Sequence, residues 1–119
     1  MKQLLIIITL LFSTQSFATD GAGNYAIWGS GSKSCHSYNQ ALAAGQDAPY
    51  KDYTMGYLTA YNHTTAETYS ISAKMTLDDV MGSIGEECEL KPIISFEQAL
   101  VNFITDHYEK RTKSGHGGF

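Results

Sequence analysis

Two thiols, four imidazoles and two short acidic runs are the side chains of this chain best suited to chemistry. Cys35 stands beside His36, the residue types of a thiol nucleophile and its base. Neighbouring residues of a helix do not face each other, so the pair reads more readily as an oxidised cysteine next to an unrelated histidine. Gly29-Ser30-Gly31-Ser32-Lys33-Ser34 has the composition of a phosphate loop but not its spacing. Gly-x4-Gly-Lys-Ser would need glycine where Ile27 and Ser32 stand, and no strand clearly precedes it. It reads as a flexible linker. Asp78-Asp79 and Glu86-Glu87-Glu89 lack the spacing of a calcium loop and read as solvated faces. His63, His107 and His116 have no evident pairing. No Ser/His/Asp set, His-Glu-x-x-His motif or paired-carboxylate signature is present. The chain therefore reads as a non-enzyme, with no catalytic residue, metal or cofactor assigned. Asn62-His63-Thr64 fits the glycosylation sequon, a permissive pattern.

The thiols are best understood from the start of the chain. Met1-Lys2-Gln3 is a short positive segment, and Leu4 to Phe12 is apolar except for Thr9. Ser16-Phe17-Ala18 then places small residues at the two positions a signal peptidase reads. Residues 1–18 are expected to be a secretory signal peptide, too short to span a bilayer as a helix, which needs about 20 residues. After cleavage no membrane segment is expected, and the destination is the periplasm. An exported protein with two cysteines reads as one disulfide, Cys35–Cys88. Closing so long a loop is worth roughly 4 kcal/mol in the chain-entropy model. A metal site is the rival reading, weakened by the lack of Cys-x-x-Cys or clustered histidines.

Four helices are expected to carry these residues. After an irregular Gly/Ser-rich arm at 19–33, in which Tyr25, Ile27 and Trp28 are embedded and whose aromatics should pack on the domain, Ser34 caps a helix over 35–44. Its Cys35, Tyr38 and Leu42 share a face, and Gly45 ends it. The second helix runs over about 49–66, with Pro49 in its first turn. Tyr50, Tyr53, Tyr57 and Tyr61 share one of its faces, and Met55 and Leu58 widen the apolar surface. Gly56, with Ala60, would allow another backbone to approach. Residues 67–75 alternate at Tyr69, Ile71 and Ala73, as a short strand would, but a lone strand has no partner; an ordered loop is expected. Thr76, with Asp79, caps a third helix whose Leu77, Val80, Met81, Ile84 and Cys88 lie together. Pro92 breaks the chain. Ser95-x-x-Gln98 is a capping box opening the fourth helix, with Phe96, Ala99, Leu100, Phe103, Ile104 and Tyr108 on its apolar face. Lys110-Arg111 suit that helix's C-terminal dipole. The expected fold is thus a small all-α, four-helix domain over 34–110, one disulfide joining two helices, followed by a mobile tail at 111–119.

Composition narrows the function. At 119 residues, with 43% apolar and 17% charged residues, the chain fits one folded domain. A net charge of −4 gives no basic face for a phosphate backbone, so nucleic acid is not an expected partner. Once the leader is removed, 7 basic residues remain against 12 acidic ones. The tyrosine stripe is the most unusual feature. It reads first as core and half-buried packing, and otherwise as a protein-binding groove, since tyrosine gives large contact area with few rotors. The expected partner is a protein, either unfolded clients or a single target enzyme, and a homodimer is compatible with the sequence.

The two cysteine neighbourhoods resemble the HdeA/HdeB family of periplasmic acid-stress chaperones. Trp28, Cys35-x-x-Tyr38, and Cys88 with Phe96 and Ala99 beyond it carry the likeness. The resemblance implies a small helical domain, a disulfide joining two helices, and binding of unfolded proteins in acid. Client binding would then use apolar faces, among them Leu77, Val80, Met81 and Ile84 on one helix and Phe96, Leu100 and Phe103 on another. Gly56-Tyr57-Leu58-Thr59-Ala60, a helix ending near Pro92, and the stretch from Phe96 to Phe103 are also similar to the Tai-type periplasmic immunity proteins. That likeness implies inhibition of a secreted enzyme in the folded state, through Tyr50, Tyr53, Tyr57 and Tyr61.

Overall fold

Helix starts leave backbone N–H groups without partners, and the sequence places a side-chain acceptor at three of the four starts. In the computed structural model, which describes residues 19–115, Ser34, Thr76 and Ser95 each accept from a backbone N–H three residues on. They open α1 (Cys35–Ala43), α3 (Leu77–Leu90) and α4 (Phe96–His107). The remaining helix, α2 (Ala48–Thr64), has Pro49 in its first turn instead. Among the described residues there is no strand, and the architecture is the expected all-α, four-helix domain. The signal-peptide residues 1–18 and residues 116–119 lie outside the described residues.

The buried Cys35–Cys88 disulfide joins α1 to α3, with the Cα atoms 4.8 Å apart. Backbone bonds reinforce the joint. Cys35 and His36 donate to the carbonyls of Ile94 and Pro92 at 2.8 and 2.9 Å, and Phe96 donates to that of Lys33 at 2.8 Å. Asn39 Nδ2 donates to the carbonyl of Cys88 at 3.1 Å. The orphan donors at the start of α1 are therefore satisfied by the turn between α3 and α4. That contact is what holds a helix of only nine residues, too short to be stable alone.

The core forms where the helices meet. Tyr38 of α1, Tyr50 of α2 and Phe96 of α4 make a mutual ring cluster, with centroids 5.0–5.1 Å apart. Val80, Ile84, Leu100 and Phe103 continue it between α3 and α4. One of two 3-10 turns, at Gly29–Ser32, packs against both α2 and α4.

Several expectations need correction. Trp28 does not pack on the domain; it is 83% exposed. Leu42 and Met55, placed on buried faces by their spacing, are exposed. Gly56 receives no close backbone: nothing lies within 4 Å of where its Cβ would be. The capping box at Ser95 is half made, because Gln98 Nε2 bonds Asn102 instead. At Thr76 both halves form.

Residues 67–75 are an ordered loop in which Ser70 pairs with Thr112. Ile71 alone of the alternating residues is buried; its N–H donates to Asn62 Oδ1 at 2.8 Å. Residues 111–115, the near end of the expected tail, lie on this loop. Arg111 Nε donates to Thr68 Oγ1 at 2.9 Å, and its guanidinium sits 3.9 Å from the centre of the Tyr108 ring.

Candidate functional site

The tyrosine stripe of α2 leads to the one buried charged side chain of the described residues. Spacings of three and four turn the rings inward: Tyr50 is buried, and Tyr53, Tyr57 and Tyr61 are half-buried against the core. Across from them, Glu97 in the first turn of α4 is 2% exposed. Its carboxylate accepts from Tyr57 Oη at 2.7 Å and from Tyr25 Oη at 2.9 and 3.1 Å. No cation touches it: the ion pairs among the described residues are Lys51–Asp47 and Lys91–Glu87. Two phenols, from α2 and from the N-terminal arm, are its whole side-chain hydrogen-bond partnership.

The phenols suit that duty. Burial first, then the bond to Glu97, pushes the Tyr57 hydroxyl well above its usual range. The bond to Glu97 raises Tyr25 likewise, and burial raises Tyr53, Tyr38 and Tyr50. These hydroxyls stay protonated and remain donors through neutral pH. The 3-10 turn covers the group. Gly31 is buried against the Tyr53 ring so closely that a Cβ there would stand 2.6 Å from Cε1 and nearer still to Cζ and Oη. The arrangement can hold a negative charge in an aromatic setting and tie the arm to α2 and α4. Through these bonds Glu97 latches the arm to α2 and α4.

The other expected site residues converge on the core. Val80, Met81, Ile84, Phe96, Leu100 and Phe103 are buried and Leu77 is half-buried, all packed in or against one cluster around the disulfide. In the folded protein they offer no open client face. The tyrosine stripe likewise packs on the core, with Tyr50 buried and Tyr53, Tyr57 and Tyr61 half-buried. Among the described residues, no group of three or more His, Cys, Asp or Glu side chains is placed to hold a metal. No helix there is long and apolar enough to cross a membrane.

The sequence singles out Glu97 for no role, and marks Gly31 only as part of the Gly/Ser linker and Tyr25 only as an arm aromatic expected to pack on the domain. A signal existed for the first. Glu97 stands three residues before Leu100 and seven before Ile104, on a buried stripe, yet a carboxylate in a first helical turn reads as a dipole partner in water. Nothing local names the partner of Tyr25, which is 72 residues away.

Comparison with known proteins finds no matching family model, no similar curated protein and no similar solved structure.

Proposed function

We propose that the chain is an HdeA-like periplasmic protein that binds unfolded proteins under acid stress, and that its client surface is its own core. One observation carries the reading: the apolar faces available for clients are packed into a single core whose centre is a buried disulfide. Such a protein is closed when folded and exposes a large apolar surface only on opening. The cross-link then keeps α1 and α3 together.

The acid trigger follows from linkage. Lys91 and Asn102 hold the Glu87 carboxyl below its ordinary range, and the N–H groups of Asn24 and Ala22 do so for Asp20. A lowered folded-state pKa contributes stability above the unfolded value, and that contribution is lost as pH falls through the folded value. In strong acid the chain without its leader keeps 7 Lys and Arg and gains 4 charged histidines. With no carboxylate charge left to offset them, self-repulsion favours opening.

The inhibitor reading draws less support, because its tyrosine face turns inward. The test is aggregation of an acid-labile client, followed by light scattering. Suppression at about pH 2–3 with little at neutral pH is expected. Equal activity at both, or none at either, overturns the proposal. A single stoichiometric enzyme partner captured at neutral pH would favour inhibition instead.

A further inference from the structure

Between α1 and α3, closed at one end by the start of α2, runs a groove of about 320 Å³. Its α3 wall is a stripe in helical register: Asp78, Gly82, Gly85 and Glu89, at steps of four, three and four. Carboxylates stand at both ends and glycines in the middle. Nothing lies within 4 Å of where either glycine's Cβ would be. No packing inside the protein therefore explains two residues that each cost about 1 kcal/mol in a helix. Opposite, Leu42 is 47% exposed, an apolar side chain left in the open beside this stripe.

The charge is also unmatched. Asp78, Glu86 and Glu89 are exposed, and neither ion pair of the described residues uses any of them. Lys51, the one cation on the rim, is engaged with Asp47 at 3.7 Å.

The geometry points to a docking groove for an extended segment of another protein that carries one apolar side chain between basic residues. The ends of the stripe lie roughly 16 Å apart along α3 at 1.5 Å per residue, a distance that about five extended residues cover. The apolar side chain would sit over Gly82 and Gly85 against Leu42. Lysine or arginine on either side would reach Asp78 and the Glu86/Glu89 end. This site belongs to the folded protein at neutral pH, and is distinct from the core exposed in acid.

The probe is a capped peptide with a central leucine between lysine pairs, titrated by calorimetry into the disulfide-bonded protein at neutral pH and low salt. Saturable binding at one site is expected, weakened at least about tenfold by Gly85→Leu. That variant fills the groove while raising helix propensity, so lost binding is not lost folding; circular dichroism checks this. Asp78→Asn together with Glu89→Gln should also weaken binding and flatten its salt dependence. Absence of saturable binding, an affinity unchanged in Gly85→Leu, or equal binding of a peptide with serine replacing the leucine would each overturn the proposal. The acid assay reads the core and this titration reads the folded surface, so each can fail alone.

Discussion

Tyr57 and Glu97 show how much a single buried contact asks of its partners. Removing the phenol by Tyr57→Phe leaves the carboxylate with Tyr25 alone, and hydrogen bonds to charged groups are worth about 1.5–3 kcal/mol. A loss of that size in urea unfolding at neutral pH is expected. The alkaline side carries a sign as well. With its folded-state pKa raised above the unfolded value of 10.0, Tyr57 contributes stability that is full below that value. The contribution is lost as pH rises towards the folded value. The wild type should therefore lose stability above about pH 10, and Tyr57→Phe should lose less over the same interval. Gly31→Ala attacks the same group from the other side. Its methyl has no room beside the Tyr53 ring, and overpacking of this kind costs about 1–3 kcal/mol. A melting temperature equal to wild type would show that the ring has somewhere else to go.

Helices are where local rules governed most and failed most instructively. Each cap read from Ser34, Thr76 and Ser95 is present, because capping is decided within three residues. Thr76→Ala should cost about 0.5–2 kcal/mol, measurable by chemical denaturation. Gly82→Ala should instead stabilise α3 by up to about 1 kcal/mol, since its position is open and helical. Face assignments were legible where both sides of a helix are settled by periodicity, as for Ile84 and Cys88. They failed at Leu42 and Met55, which are exposed although their spacing puts them beside buried residues. Arm and loop were least legible. Tyr25 reaches Glu97, and Arg111 reaches Thr68, across 72 and 43 residues, and no local pattern encodes such distances. The latch was missed for that reason, whereas the disulfide was within reach because two cysteines leave only one pairing.

At the scale of the whole molecule the cross-link decides what opening means. Cys88→Ala should lower stability by about 2–5 kcal/mol and free one thiol at Cys35, the cost persisting in acid because the constraint does not titrate. Thiol titration of the unfolded, unreduced protein checks the bond directly, and two free thiols per chain would refute it. Glu87→Gln, by contrast, should matter only away from acid. It removes less than about 1 kcal/mol at neutral pH, as befits an ion pair near the surface, and nothing once the carboxyl is protonated.

The position of that cross-link also divides the polymer. Cys35 and Cys88 are 53 residues apart, so α1, α2 and α3 lie on a covalent ring, while α4 hangs outside it as part of a linear strand. Pulled from its two ends, the oxidised chain can surrender α4 and the arm but not the ring. At about 3.4 Å per residue, some 180 Å of contour stays hidden from the force. In a single-molecule trace, the same protein should lengthen by about that amount when a reductant is added, and α4 should be the helix that leaves first.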